Sequence, residues 1–329
     1  MTESDARPSA PDHRDRRAGL ILFGVLLVGL GGVCALLVVV LIAGPLAGPA
    51  VAIPGAGAAP LTDRTALVPG IVTYAALAGL FVWLGGGSIL TRRWAPPLIL
   101  TTAWLWLITG VVSVGASMLF LPAVFAMTEW QSGPMPDGLK TAMTLGVIGV
   151  LSVVMVILPG ALVLFYRSRH VLATCVARDP VPRWTDGRPT SLIGLSVSLL
   201  LLALSLLPAV FLYNGMAPCF GAIAVGAPGI LVNVALGAIW CACAWSTLNL
   251  DPRGWWATAA SITIATASFV VTLAWRDPAD LWRAAGLPVE QVGGAVSSGS
   301  GLLIALALAC WLSLIGSLLH VRKHFRPRG

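Results

Sequence analysis

Residues 141–165, TAMTLGVIGVLSVVMVILPGALVLF, hold no charged side chain, and they run directly into residues 166–189, YRSRHVLATCVARDPVPRWTDGRP. The first stretch reads as a helix in hydrocarbon, since a bilayer span takes about 20 mostly apolar residues. The second holds Arg167, Arg169, Arg178, Arg183 and Arg188, and is the only sizeable polar passage between Gly19 and His320. It stands at the midpoint, with four apolar spans before it and four after it. The expected fold is therefore all-α: a polytopic membrane helix bundle of eight transmembrane helices.

The division of the chain follows from that reading. Residues 1–18 form a polar tail, expected to be disordered. Residues 19–165 form a first four-helix half, 166–190 an Arg-rich central loop, 191–320 a second four-helix half, and 321–329 a basic tail. The first apolar run exceeds the 7–15 residues of a signal-peptide core, so it reads as a retained span. Composition agrees: charged residues are 10% of the chain, where soluble domains carry about 25%.

Charge sets the orientation. Lys and Arg accumulate on the cytosolic side of a membrane protein. With the N-terminus inside, the cytosolic segments hold 16 of the 20 basic residues, and only Arg64, Lys140, Arg276 and Arg283 fall outside. Both termini are then cytosolic. The net charge of +7 belongs to a membrane surface, and no nucleic-acid partner is expected.

The spans exclude several chemistries. None of the 33 Asp, Glu, Lys and Arg residues lies inside one, and His13, His170, His320 and His324 sit at or beyond cytosolic ends. A charge at mid-membrane costs about 2.5–3.5 kcal/mol, so such groups persist mainly where function needs them. Proton-coupled transport and intramembrane proteolysis usually draw on such groups. No HExxH, GxSxG or Walker motif occurs, and Gly85-Gly86-Gly87-Ser88 ends a span rather than opening a phosphate loop. Cys241-Ala-Cys243 reads as two small core residues. No catalytic residue, cofactor or metal is expected. Asn233 is the one amide at depth, and interhelical hydrogen bonding is its expected role, ahead of orienting a substrate.

Within the loop, nothing before Asp179-Pro180 breaks the helix leaving Tyr166, so that helix is expected to continue and stop near Asp179. Val171, Leu172, Cys175 and Val176 would form one apolar stripe along it. Trp184 suits headgroup depth, Thr185-Asp186-Gly187 a turn, and Thr190-Ser191 a hydroxyl cap for the next helix. Three roles are weighed, in this order. The arginines hold the spans in register and contact anionic lipid, each worth about 1 kcal/mol near the surface. Alternatively Arg178, Asp179, Arg183, Trp184 and Asp186 form a docking surface for a cytosolic partner or phosphate-bearing ligand. Last comes a Cys175–His170 catalytic pair, whose side chains share a helix face poorly.

The run Cys175-Val-Ala-Arg178-Asp179-Pro180-Val-Pro182-Arg183-Trp184-Thr185-Asp186, with Arg92-Arg93-Trp94-Ala95-Pro96-Pro97, resembles an uncharacterised family of multi-pass bacterial inner-membrane proteins. That resemblance implies a bacterial inner membrane and no particular chemistry. It also implies a Cys-Pro near Gly187–Pro189, where this chain has Gly187-Arg188-Pro189.

Three further features complete the reading. Ser297, Gly301, Ala305, Ala309, Ser313 and Ser317 put a small residue at every fourth position of the eighth span, a packing face, and the small-rich seventh span reads as enclosed by other helices. Arg92-Arg93-Trp94-Ala95 and Arg253-Gly254-Trp255-Trp256-Ala257 open the third member of each half, which suggests a weak 4+4 parallel repeat. Asp277, Pro278, Gly286 and Pro288 outline a short external helix.

The leading functional expectation is a non-enzymatic membrane component presenting the basic loop to a protein partner or anionic lipid. A permease or flippase for a neutral or lipidic substrate comes second, and a membrane enzyme acting at the cytosolic face third.

Overall fold

The structure, a computed structural model, describes residues 15–44, 67–132, 135–182, 185–284 and 300–325. Among them, eight helices are long and apolar enough to cross a membrane. In chain order the elements are α1 (Arg17–Ala43), α2 (Val68–Ile89), α3 (Ala95–Ser132), α4 (Asp137–Tyr166) and α5 (Arg169–Arg178). Then come α6 (Thr190–Leu204), α7 (Leu207–Phe211), β1 (Ala217–Cys219), β2 (Ala222–Ala224) and α8 (Ala227–Leu248). Last are α9 (Pro252–Trp275), α10 (Pro278–Ala284) and α11 (Ser300–Val321).

The multi-pass helical reading stands, with corrections in detail. The chain is not purely α: β1 and β2 form an antiparallel hairpin, Ala217 opposite Ala224. The fifth span is interrupted at Ser205–Leu206, just before Pro208, which cannot donate to Leu204. Helix α3 runs on to Ser132, well past the apolar stretch Ala95–Gly115 that can span a membrane. Gly286 and Pro288 lie outside the described residues, but α10 begins at Pro278 and the Asp277 carboxylate accepts from Ala279 N at 2.9 Å, the expected cap.

Close backbone approach organises the first half. Helices α1 and α2 meet at Gly24 and Gly85, where a Cβ on either would stand 2.7–2.9 Å from the other's carbonyl oxygen. Inside α4, Val153–Ile157 is a π turn, closed by Leu158 N donating to Val153 O. Pro159 supplies no N–H, so the Met155 carbonyl lacks its usual helical donor, and the extra residue of the turn accommodates the mismatch. That carbonyl faces Gly110 of α3 so closely that no side chain fits there.

Buried residues form two cores. One joins α1 to α5 with Ile193 of α6, and the other joins α6, α8, α9 and α11. The two cores share a burial spacing in α2 and α8. Phe81, Leu84, Gly85 and Ser88 are buried in α2, and Trp240, Cys243, Ala244 and Thr247, each 159 positions later, are buried in α8. At the turns that follow, Thr91 N donates to Ser88 O and Arg92 N to Gly87 O, while Leu250 N donates to Thr247 O and Asp251 N to Ser246 O. Thr91 and Leu250 both take positive φ, 51° and 58°. These are Schellman closures in one register. Ala95 and Gly254, which follow these turns and are also 159 positions apart, are both buried.

Small residues did not always mark contact. Ala305, Ala309 and Ser313 of α11 are exposed, as are Ala257, Ala260 and Ala267 of α9. The seventh span is therefore open along one side rather than enclosed.

Candidate functional site

The basic helix ends meet at one end of the bundle, and polar contacts tie them together. Arg16 N donates to Thr174 Oγ1 at 3.2 Å, joining the start of α1 to α5. Arg178 reaches Asp15 at 3.0 Å. The Arg17 amide, then the Arg178 guanidinium, hold the Asp15 carboxyl below its usual range. In the second half, Trp255 Nε1 donates to Leu318 O at 2.9 Å and Arg322 stacks over the Trp255 ring.

The expected continuous helix beyond Tyr166 is instead two helices. The chain turns at Arg167–Ser168, and Ser168 caps α5 by accepting from His170 N at 3.3 Å. Ser, which competes for backbone donors, is suited to that break. The turn lays α5 across the end of α1, and α5 stops at Arg178 as Asp179-Pro180 dictates. Its apolar residues do not share one face: Val171 and Cys175 are buried, whereas Leu172 and Val176 are exposed. At the other end of the loop Thr190 and Ser191 provide no cap. Pro189 occupies the N-cap position of α6 without a side-chain bond.

Asp179 and Asp186 converge on the turn between α2 and α3. The buried Asp179 carboxylate accepts from Arg93 N at 3.3 Å, and Arg93 Nε lies 3.1 Å from Asp186 Oδ2. The second contact is an ion pair without hydrogen-bond alignment. Arg93 thus bridges the two acidic residues of the loop, one by its amide and one by its guanidinium. Asp179 is buried and Asp186 is exposed, so removing the Asp179 carboxylate is the costlier change, leaving the Arg93 amide without its acceptor. Sequence alone grouped these two acids with Arg178, Arg183 and Trp184 as a docking surface. The structure gives Asp179, Asp186 and Arg178 internal partners, and Arg183 and Trp184 lie outside the described residues. Arg93, the residue that joins the acids, was not among the candidate site residues. Its signal was its place in a charged turn at the same end as the loop.

The arginine side chains differ from the acids. Arg92, Arg167, Arg169 and Arg178 are exposed at this end. Arg188 is half-buried beside the turn that Thr185 closes.

Cys175 does not fit a nucleophile. It is fully buried, and burial, then the Asp179 charge, push its thiol up to about 11. A reactive cysteine needs the opposite, a thiolate stabilised by positive charge and open to substrate. No group of three or more His, Cys, Asp and Glu side chains that could hold a metal occurs among the described residues.

Asn233 is spent on the opposite end. Its Nδ2 donates to Gly215 O, Met216 O and Gly229 O at 3.0–3.3 Å, holding the connector before β1. Ser268 and Thr272 of α9 hold the hairpin tip, accepting from Phe220 N and Gly221 N at 3.0 Å. This is a backbone clasp rather than the interhelical bond expected of Asn233.

Comparison with protein-family models, with curated proteins and with solved structures finds no match to this chain.

Proposed function

We propose that this chain is a non-enzymatic component of a bacterial inner membrane, with both termini in the cytosol. Its arginine-rich end engages a cytosolic protein partner or anionic lipid headgroups. One observation carries the reading. The Cys175 thiol and the Asp179 and Asp186 carboxylates at that end are buried or bound internally, while Arg92, Arg167 and Arg169 face outward. Guanidinium groups suit carboxylate and phosphate partners because they donate two parallel hydrogen bonds.

The test uses Arg167→Gln with Arg169→Gln, leaving Asp179 and Asp186 in place because they hold Arg93. Complementation of a deletion strain should be lost while the amount inserted and the unfolding midpoint stay at wild-type values. Full complementation by the double variant would overturn the proposal. Cys175→Ala should complement normally, and its failure to do so would favour the membrane-enzyme reading.

A second reading, a permease or flippase for a neutral or lipidic substrate, draws support from the matched registers of the two halves. We read them as parallel duplicates, an arrangement found among transporters. Asn233 has no part in it, being bound to the hairpin connector. Substrate flux in proteoliposomes would favour this reading, and its absence across neutral solutes and lipids would count against it.

A further inference from the structure

The two halves meet chiefly through α3 and α6, and α2 also touches α7. Thr101 Oγ1 donates to Thr190 O at 3.5 Å, and the Thr101 methyl lies against Gly194. Leu98 and Thr101 are buried, and Ile193 of α6 is drawn into the first-half core with Val197 packed beside it. The contact is one-sided: it uses the third span of one half, with part of the second, and the first span of the other. If the halves correspond, each supplies only one of the two faces it owns.

The counterparts can be read off the burial pattern. Residues 159 positions after Leu98 and Thr101 are Ala257 and Ala260 of α9, and both are exposed. Elsewhere along this stretch the two halves agree, with Ala95, Ile99 and Ala103 buried as Gly254, Thr258 and Ile262 are. For the first span, Leu20, Gly24 and Leu27 of α1 match Leu192, Ser196 and Leu199 of α6, all buried and 172 positions apart. Gly194 and Val197 then correspond to Leu22 and Val25, which are 65% and 57% exposed. Next on that face stands Gly29, with open space where a side chain would begin.

An occupied face of each kind therefore lies where the halves join, and an empty face of each kind lies on α9 and α1. We propose that a second copy of this chain fills them: α9 of one copy packs on α1 of the next, reproducing the α3–α6 contact between molecules. The inference rests on the correspondence of the halves and not on what the arginine-rich end binds. The chemistry suits the site. Ala257 and Ala260 leave a shallow surface that Leu22 and Val25 can enter, and Gly29 permits close backbone approach. Helix association in lipid depends on such packing because hydrocarbon supplies no hydrophobic drive. The contact is heterologous, so it propagates from copy to copy and closes a ring if the rotation allows.

Two differently tagged full-length chains, their six native cysteines replaced by alanine, are co-expressed in one membrane. One carries Leu22→Cys and the other Ala260→Cys. The expected result is an oxidative cross-link bearing both tags, lost when Ala257→Trp is added to the second chain. Leu164→Cys, exposed on α4 near the same helix ends, replaces Leu22→Cys as the control and should give no such product. Equal yield with the control, or no doubly tagged product, overturns the proposal. Photobleaching of the wild-type chain fused to a fluorophore provides a second reading. Single-step bleaching overturns self-association outright. Several steps without the Leu22–Ala260 product place the contact on another face, which overturns this one.

Discussion

Asp179 shows how a residue's neighbours decide what a charge is for. By sequence it belonged with Arg178 and Asp186 to a docking surface. In space its carboxylate accepts from the Arg93 amide, 86 positions earlier, and helps hold the turn between α2 and α3. Asp179→Ala should lower stability by about 1–3 kcal/mol, the cost of a buried donor left without its charged acceptor, seen as a lower thermal midpoint in detergent. Asp179→Asn, which keeps an oxygen in place, should recover part of it. Cys175 makes the complementary case. Its folded thiol titrates near 11 against an ordinary 9.0, so the folded state keeps its proton where the unfolded chain has lost it. Protonation therefore supports folding fully below 9.0, and that support fades as pH climbs from there through about 11. Thiol-reactive probes should label Cys175 slowly at neutral pH and faster only in alkali or on unfolding. An immediate reaction at pH 7 would show the thiol to be open. Neither fact was legible locally, because burial and long-range partners set both.

At the scale of elements, helix capacity was written in the residues, and the interruptions were only partly so. Pro159, which lacks an N–H, breaks the regular hydrogen-bond ladder of α4. The form of that break, a π turn over Val153–Ile157, depends on Gly110 of α3 standing against the Met155 carbonyl. Gly110→Val should cost at least about 1–3 kcal/mol, as overpacking does in other cores, and reduce folded yield in membranes. Gly149→Val, on an exposed face of α4 with open space, serves as the insertion control. The Gly24–Gly85 approach is similarly unforgiving, and Gly85→Leu should part α1 from α2, detected as lost cross-linking between cysteines placed along that seam. The hairpin escaped the sequence reading because its strands are three residues each. Its stability comes from Asn233, Ser268 and Thr272, which lie on other elements. Asn233→Ala removes the donor to two carbonyls before β1 and should expose Gly215–Ala224 to protease added at that end of the bundle.

For the whole molecule, the clustering of helix ends gives the charge argument a physical form. Arg16, Arg93, Arg178 and Arg322 each contact a neighbour at the same end of the bundle. We expect a reporter that works only in the cytosol to be active at either terminus and silent when inserted at Gly138. Activity at Gly138 would reverse the orientation. Composition and period by themselves marked the eight helices among the described residues that are long and apolar enough to cross a membrane, because about 20 apolar residues in a row have few other ways to be solvated. They also determined where α5 ends, since a residue before proline resists the helical conformation. Only the tertiary structure decided that the acids of the central loop serve Arg93, that Asn233 serves a hairpin, and that α3 packs on α6. Those outcomes depend on which surfaces pack together, and pairing between distant segments leaves no periodic trace in the chain.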